Sequence, residues 1–384
     1  MRFPVTGQQG HGHRIIQMNI LFLGSNLPDV FEGKVKYLSA AGNQYQNNLV
    51  RTLRKKHDVK VLTYINYPIL IEKKEIEEQC RKENYTVFFS AGATLKICKA
   101  FRKAVYKEIE WADIVIVYNV LYAWFGIGFK TKQKGKKSIL IVADYTDRSE
   151  QRGIIRKLLA EAIKREFNRY TKTIILSPGI KKYLKKEQSF LLINGCIRWE
   201  RFSTILPAEV KNNVINVVYT GGFSHVVGTD LMLDAFKQVK DQDVRLILCG
   251  QGGDMKERAS KAQMEDSRIE YKGFLSRPEY YEILNKANIL INPRNMQYEQ
   301  NSANFPSKVL EYIATGRYVI STKFIGWEAY QDEIIFSESD KDSLAQCIIK
   351  VVSEVKANPN RYYLHNRKFA QKIDWDMMAD KYIE

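Results

Sequence analysis

The sequence has 384 residues, of which 45% are hydrophobic and 27% are charged. A chain of this length ordinarily folds into two or three domains, and this composition excludes a disordered, collagen-like or low-complexity protein. The formal net charge is +17, and the excess lies in residues 1–200, which carry 36 Lys and Arg against 18 Asp and Glu. A half this basic indicates an anionic partner, either nucleic acid or an acidic membrane surface, unless its lysines only keep the chain soluble.

Three further features bear on where the chain works. The five cysteines are far apart and form no C-x-x-C pair, which predicts reduced thiols in a cytoplasmic protein. No apolar run approaches the ~18 residues that a membrane span needs, so we expect any membrane contact to be peripheral. Residues 1–17 are polar and contain glycine, and we expect a flexible leader outside the fold.

Apolar runs of strand length alternate with amphipathic stretches of helix length in the first half of the chain. The predicted strands are 19–24, 59–64, 114–118, 138–143, 173–176 and 190–193, and the predicted helices are 44–56, 95–110 and 151–170. This alternation predicts a doubly wound parallel sheet. We therefore assign residues 18–200 to a first Rossmann-like domain.

The same alternation restarts after a polar segment at 201–213. The predicted strands are 214–219, 244–249, 269–271, 289–292, 318–321 and 334–336, and the predicted helices are 231–239, 254–262, 278–287, 307–315 and 343–355. We assign residues 201–360 to a second Rossmann-like domain, and residues 361–384 to a C-terminal helix. Two such units in tandem face each other across a cleft, and their ligands bind beyond the carboxyl ends of the strands.

Residues 292–312 contain the strongest candidate binding site. Pro306 suits the first position of a helix, so the N–H groups of Ser307 and Lys308 would point out of the helix start toward an anion. Lys308 adds a mobile positive charge, and Glu311, one turn further on, can accept hydrogen bonds from the hydroxyls of a ribose. The pattern indicates a nucleoside diphosphate, although an ordinary helix with an exposed Lys and Glu has the same spacing.

Two glycine turns follow strands of the second unit. Gly221 and Gly222 come after its first predicted strand, and Gly250 comes after its second. Glycine lets backbone amides approach a phosphate closely, so we expect these turns to contact the bound nucleotide. A plain tight turn is the alternative.

The run from Asn292 to Gly316 resembles the donor-site signature of GT-B glycosyltransferases, specifically of the bacterial glycosyltransferase family 4. The first strand followed by Gly42 and Asn43 is similar to that family's acceptor-side glycine loop, and residues 375–382 resemble its terminal helix. The resemblance implies the GT-B fold, with an acceptor-binding first domain and a nucleotide-sugar-binding second domain. It also implies that the terminal helix crosses back onto the first domain.

The chain departs from that family in the acidic residues of the donor site. The family usually has two Glu residues with seven residues between them, and Glu311 matches the second of them. The first falls on Ala303. Glu299, Ser302 or Asn304 are the candidates for the lost contact to the donor sugar.

It also departs in the basic residues. The family usually carries an Arg and a Lys in the donor-domain glycine loop, where this chain has Gly222 and Val227. Arg294 and Lys308 are the nearest basic substitutes, and His225 is a further possibility. Because negative charge develops on the departing diphosphate, we assign Arg294 and Lys308 catalytic roles.

The resemblance implies transfer with retention of the anomeric configuration, from a nucleotide-diphosphate sugar to a lipid-linked glycan of a surface polysaccharide. The sequence has no convincing Asp-x-Asp pair, so we predict a metal-independent reaction without a cofactor. Three alternatives remain open. They are a GT-B-shaped epimerase of nucleotide sugars, a relative that binds the nucleotide without turnover, and a nucleic-acid-binding protein, for which we find no recognition motif.

Asp144 and Asn119 are the acceptor-side candidates because each directly follows a predicted strand of the first domain. Asp144 could orient or deprotonate an acceptor hydroxyl, or it could only cap a turn. Two amphipathic basic helices, at 95–110 and 151–172, either pack on their own sheet or dock on anionic lipid at the inner face of the cell membrane.

Overall fold

The computed structural model of the protein describes residues 16–31, 34–35, 38–69, 71–90 and 95–384, with the side chain of Leu95 left out. The described residues form two α/β domains, each built on a parallel sheet. Apart from residues 16 and 17, the leader expected at 1–17 lies outside the described residues.

The first domain has seven strands and, within the described residues, five α-helices. The strands are β1 (Asn19–Gly24), β2 (Asp58–Ile65), β3 (Tyr85–Phe89), β4 (Ile114–Tyr118), β5 (Lys137–Val142), β6 (Lys172–Ile175) and β7 (Phe190–Leu192). The helices are α1 (Ala40–Leu53), α2 (Lys73–Lys82), α3 (Leu95–Trp111), α4 (Ile127–Gln133) and α5 (Ile154–Glu166). All the strands run parallel, in the order β3-β2-β1-β4-β5-β6-β7.

Helices cover both faces of this sheet, which explains why its central strands are continuous apolar runs. The face toward α1 and α2 holds one hydrophobic cluster, and the face toward α3 and α4 holds another. Phe101, Val105 and Ile109 of α3 are buried in the second cluster, so the apolar side of α3 packs on its own sheet. Of the two basic helices considered for lipid docking, α3 therefore has its apolar residues inside the protein.

The second domain has six strands and six helices before its terminal segment. The strands are β8 (Ile215–Thr220), β9 (Val244–Cys249), β10 (Ile269–Gly273), β11 (Ile289–Asn292), β12 (Tyr318–Thr322) and β13 (Ile335–Ser337). The helices are α6 (Thr229–Phe236), α7 (Lys256–Glu265), α8 (Arg277–Lys286), α9 (Gln300–Ala303), α10 (Lys308–Thr315) and α11 (Lys341–Ala357). The parallel sheet has the order β10-β9-β8-β11-β12-β13.

Two helices end the chain, α12 (Tyr363–Lys372) and α13 (Trp375–Ile383). The first packs on α10 of the second domain. Trp375 and Tyr382 of α13 are instead buried in the first domain's cluster beside α1, and the Trp375 N–H donates to the carbonyl of Ile197 at 3.0 Å. The terminal segment thus connects both domains.

Both sheets reverse their strand order at an equivalent place, between β1 and β4 in the first domain and between β8 and β11 in the second. Ligands of open α/β sheets bind at such switch points. This pair of doubly wound domains has the architecture that the GT-B prediction requires. In the described part of the chain, no helix combines the length and apolarity needed to cross a membrane.

Candidate active site

A cavity of about 260 Å³ lies between the two domains, where the strand ends of both sheets meet. It brings together six of the residues singled out from the sequence. The first domain contributes Gly42 and Asp144, and the second contributes Arg294, Asn304, Ser307 and Glu311. The predicted donor and acceptor residues therefore share one cleft.

Lys308, the first residue of α10, points its ammonium group at the end of β8. Its Nζ donates to the carbonyl of Thr220 at 2.7 Å and lies 4.3 Å from the ring centroid of Tyr219. Burial, with a further contribution from Arg294, lowers the pKa of Lys308 to about 7. The prediction of a mobile charge is wrong, because the carbonyl and the ring hold this ammonium in place.

Gly221 and Gly250 let the ends of β8 and β9 approach each other and Lys308. A Cβ on Gly221 would lie 2.5 Å from the Nζ of Lys308, and the φ of Gly221 is +146°. A Cβ on Gly250, whose φ is +139°, would lie 1.7 Å from the carbonyl oxygen of Gly221. Both positions therefore require glycine, whereas a Cβ on Gly222 would have no neighbour closer than 3.8 Å.

Arg294 follows β11 and lines the cavity near Lys308. Its Nη1 donates to the carbonyl of Asn304 at 3.2 Å, and burial lowers its pKa to about 10. Its own carbonyl accepts a hydrogen bond from Thr322 at 2.5 Å, which fixes the backbone at this strand end. The two predicted catalytic cations are thus close enough for Arg294 to disfavour the charged form of Lys308.

Glu311 lies one turn into α10 and lines the cavity. The hydroxyl of Tyr280 donates to its Oε2 at 2.5 Å. Burial, together with the neighbouring Glu311, raises the pKa of Tyr280 well above its usual value, so this tyrosine remains a donor. The carboxylate is consequently oriented from the side of α8.

The start of α10 differs from the prediction. The N–H of Ser307 donates to the carbonyl of Phe305 at 2.9 Å, so the tight turn at 305–307 uses the amide that was expected to face an anion. The prediction of a free Ser307 amide is wrong for this reason. Ser307 itself is exposed in the cleft and makes no side-chain cap with the helix.

Glu299 lies at the contact between the domains and is not among the residues that line the cavity. Its carboxylate pairs with Lys182 of the first domain, at 3.5 Å between Nζ and Oε1. Ala303 is buried in the first domain's cluster with Tyr145 and Tyr183. Glu299 therefore makes an interdomain contact, and Asn304 alone of the three candidates lines the cavity.

The segment around α9 is held on the first domain by further backbone contacts. Ser177 donates from its hydroxyl to the carbonyl of Ser302 at 3.2 Å, and the N–H of Tyr145 donates to Oδ1 of Asn304 at 3.3 Å. A Cβ on Gly179 would lie 1.7 Å from the carbonyl oxygen of Ser302.

On the acceptor side, Gly42 and Asn43 belong to the first turn of α1 and not to a loop. Ser39 caps this helix by accepting from the N–H of Gly42 at 3.2 Å, and Gly42 faces the cavity. Asn43 is buried, and its Oδ1 accepts from the N–H of Leu27 at 2.8 Å. The acceptor-binding prediction for Asn43 is wrong because its side chain holds the chain after β1.

Asp144 and Asn119 form a pair at the ends of β5 and β4. The Nδ2 of Asn119 donates to Oδ1 of Asp144 at 3.1 Å, and its Oδ1 accepts from the N–H of Ala143 at 2.8 Å. Asp144 is accessible from the cleft. The protein atoms around its carboxyl group nevertheless desolvate it, and this desolvation raises the pKa of Asp144. Asn119 thus orients Asp144 and lies outside the central cavity.

Comparisons with known proteins agree with this geometry. Residues 215–354 match a family model described as "Glycosyl transferases group 1". A search of curated protein sequences found no significant match. The matched residues span β8 to α11 and so contain Gly221, Arg294, Lys308 and Glu311.

Solved structures of similar fold cover nearly the whole chain. The Anabaena protein Alr3699/HepE in complex with UDP has a TM-score of 0.69 at 14% identity, over 95% of this chain and 98% of that chain. A glycosyltransferase from Rickettsia africae has a TM-score of 0.70 at 14% identity, over 96% and 97%. The apo lipopolysaccharide outer core galactosyltransferase WaaB has a TM-score of 0.65 at 16% identity, over 95% and 98%.

The chain has the GT-B fold and carries a glycosyltransferase domain. The prediction of a GT-B glycosyltransferase is confirmed at this level. Membership of family 4, the acceptor and the stereochemistry stay predictions.

The sequence analysis missed two cationic residues that line the cleft of this glycosyltransferase, Arg198 and Arg201. Arg198 donates to Asn48 and Thr52 of α1, at 3.2 Å each. Both arginines follow the strand β7 in the connection between the domains. Their position between two strand ends could have indicated from the sequence that they lie at the cleft. They add positive charge to the part of the cavity wall that the connection between the domains forms.

Of the two positions at which the resemblance to family 4 implies a basic residue, Gly222 and Val227, only Val227 is occupied by a side chain that packs on the core. Val227 packs against the core of the second domain, where a lysine would bury its charge. His225 is partly exposed, and its Nδ1 lies 2.8 Å from Oδ2 of Asp230, whose hydrogen bond raises the pKa of the imidazole. His225 therefore pairs with a side chain in the first turn of α6.

Proposed function

We propose that the protein transfers a sugar from a nucleotide-diphosphate sugar, held by the second domain, to a hydroxyl group of a glycan held by the first. One observation carries this proposal. The ammonium of Lys308 is fixed beside Gly221 at the end of β8. The preceding residue, Ser307, lines the same cleft as Asp144. The family model over 215–354 and the UDP and UDP-glucose complexes of Alr3699/HepE support it.

In the proposed reaction the bond between the anomeric carbon and the departing phosphate oxygen breaks, and a bond to the acceptor oxygen forms. Lys308 and Arg294 stabilise the negative charge that develops on the diphosphate, and their fixed positions avoid reorganisation during the step. The acceptor proton passes to the departing phosphate oxygen, while Asp144 orients the acceptor hydroxyl. We propose retention of configuration, as the resemblance to family 4 implies, with the acceptor attacking the face from which the diphosphate leaves.

Glu311 is proposed to bind the ribose of the donor. The hydroxyl of Tyr280 holds one carboxylate oxygen, and the residue faces the cavity one turn beyond Ser307. Asn304 is the proposed contact to the donor sugar, because Ala303 stands where the resemblance implies an acidic residue. We also propose that the reaction needs neither a metal nor a cofactor. Among the described residues, no three His, Cys, Asp or Glu side chains form a group that could hold a metal ion.

We propose membership of family 4, a lipid-linked glycan of a surface polysaccharide as the acceptor, and work at the inner face of the cell membrane. The excess of positive charge in residues 1–200 supports contact with an anionic surface. The five unpaired cysteines are in keeping with a reducing compartment.

The proposal is tested by measuring thermal stabilisation of the purified protein by UDP, GDP, ADP and their sugars. A ligand that binds only the native state raises the melting temperature by linkage, so one nucleotide series should stabilise the protein. No shift with any of them would contradict the proposal. Hydrolysis or transfer of the stabilising sugar donor would then exclude a relative that binds without turnover.

Glu311 and Asp144 should separate donor binding from transfer. The Glu311→Ala variant is expected to weaken nucleotide binding about tenfold or more, because it removes a charged hydrogen-bond acceptor from the site. The Asp144→Ala variant is expected to bind the nucleotide normally and to lose transfer to the acceptor. Titration calorimetry and a turnover assay measure the two effects. Equal effects of both variants on binding would remove these assignments.

Nucleotide affinity should depend on pH through Lys308. Its pKa is about 7 in the free protein, and a bound diphosphate raises it, so binding above pH 7 takes up a proton. Affinity is then highest below this pKa and falls by up to about tenfold per pH unit above it. Calorimetry above neutral pH, where the diphosphate is already ionised, measures the slope. The Lys308→Met variant should bind more weakly with a flat profile, and an unchanged slope would contradict the assignment.

A further inference from the structure

The helix α5 turns a row of large apolar side chains into solvent. Ile154 is 78% exposed, Ile155 is 83% exposed and Leu158 is 60% exposed. Only the other side of the helix packs inward, through Ala160 and Ile163. This arrangement is the reverse of α3, whose apolar residues are buried. Contiguous exposed apolar residues of this kind mark an interaction surface.

Positive charges surround these side chains. Arg152 and Arg156 are exposed and Lys157 is partly exposed. None of the three makes an ion pair with the residues that the structure describes, although many other lysines and arginines of the chain do. We name Arg152, Ile154, Ile155, Arg156, Lys157 and Leu158 the α5 surface. It combines unshielded cationic groups with apolar groups, as expected for contact with anionic lipid.

A groove of about 390 Å³ runs from this surface to the active site. Its walls are largely apolar, with Val120 and Leu121 on one side and Leu159 and Ile163 of α5 on the other. Arg156 also lines it, and so does Asp144, which borders the central cavity as well. We name this space the α5 groove. It therefore joins the α5 surface to the carboxylate proposed to orient the acceptor.

We propose that the α5 surface rests on an anionic membrane and that the α5 groove receives an acceptor made of a hydrocarbon chain, a phosphate and a sugar. The inference rests on the proposed transfer to a lipid-linked acceptor and adds its binding site. The hydrocarbon lies along Leu159 and Ile163, the phosphate meets Arg156, and the sugar hydroxyl reaches Asp144.

Charge and polarity together select this occupant. A second copy that met this one through the same surface would bring Arg152, Arg156 and Lys157 against their own counterparts, whereas an anionic lipid complements them. A free phosphate would use the arginine and leave Leu159 and Ile163 in water. Only an anionic amphiphile satisfies both kinds of side chain.

The surface is tested by co-sedimentation of the full chain with phosphatidylcholine vesicles that contain phosphatidylglycerol. We expect binding that is lost with phosphatidylcholine alone and that falls with added salt. The double variant Ile155→Ser/Leu158→Ser should lower the partition coefficient about tenfold or more, and Arg156→Gln should lower it about fivefold. The control Leu364→Ser changes an equally exposed leucine of α12 and should bind as the unaltered chain does.

The groove is tested with farnesyl phosphate as a probe, by calorimetry in the absence of vesicles. We expect binding that neither farnesol nor inorganic phosphate reproduces. The variant Leu159→Trp narrows the groove from a partly exposed position and should raise the dissociation constant about tenfold, as should Arg156→Gln. Leu364→Trp is the matched control for the introduced tryptophan.

Three results would overturn the inference. They are equal binding to neutral and anionic vesicles, equal competition by inorganic phosphate, and a dimer in light scattering that Ile155→Ser/Leu158→Ser converts to a monomer. Nucleotide stabilisation of the same variants separates this inference from the proposed function. If UDP, GDP or ADP still stabilises a chain that binds no vesicle or probe, the groove proposal fails and donor binding stands.

Discussion

Replacing Lys308 with alanine is expected to lower the rate of sugar transfer by about 10²–10³-fold, as for the loss of one preorganised donor to a developing charge. The ammonium is held by the carbonyl of Thr220 and the ring of Tyr219, so no rearrangement is needed when the diphosphate departs. Part of the stabilisation that the Lys308 ammonium gives to the diphosphate should appear only in the transition state. Single-turnover kinetics at saturating donor measure this part separately from donor binding.

The matched control for this variant is Lys286→Ala. Lys286 lies on the exposed side of α8, where it pairs with Glu282 within the same helix, and such pairs contribute little. Its removal should leave the rate within about twofold of the unaltered chain. A Lys308→Ala variant as active as this control would show that the cation beside Gly221 does not stabilise the leaving group.

Replacing Gly250 with alanine should destabilise the second domain by roughly 3 kcal/mol, through backbone strain at a positive φ and a clash that no rotamer relieves. The new Cβ would lie 1.7 Å from the carbonyl oxygen of Gly221, and backbone cannot move aside as a side chain can. Because Gly221 lies against the Nζ of Lys308, the same substitution should also weaken nucleotide binding. Urea unfolding followed by circular dichroism measures the change.

Gly222→Ala is the control for Gly250→Ala. Position 222 has no positive φ, and its nearest neighbour to a new Cβ is 3.8 Å away, so the free energy of unfolding should change by less than about 1 kcal/mol. Equal destabilisation by both substitutions would mean that the turn between β8 and β9 does not depend on the close approach of its backbones.

The strands were predictable because buried parallel strands need apolar side chains on both faces. β1, β4, β9 and β11 accordingly have the predicted bounds. α2 was missed because it is short and mostly charged, and β3 because it lies at the edge of the sheet with only part of its surface buried. Local pattern is weakest where an element buries little apolar surface.

The positions of Asp144, Arg294 and Glu311 in the cleft also followed from the sequence, because each comes after a strand end or one turn into a helix beside it. The roles of Glu299, Asn43 and the Ser307 amide did not follow. Glu299 pairs across the domains with Lys182, Asn43 turns inward to Leu27, and Ser307 bonds to Phe305. Spacing along the chain contains no information about such partners.

The sequence by itself determined that this protein has two doubly wound domains with a cationic helix start after a strand of the second. Periodic burial is a local property of the chain, so it can be recognised without coordinates. Only the tertiary structure decided that Lys308 is immobilised beside Gly221, that Ala303 belongs to the first domain's core, and that α5 exposes its apolar side. Each of these depends on which distant surface meets the residue, and packing between elements determines that contact.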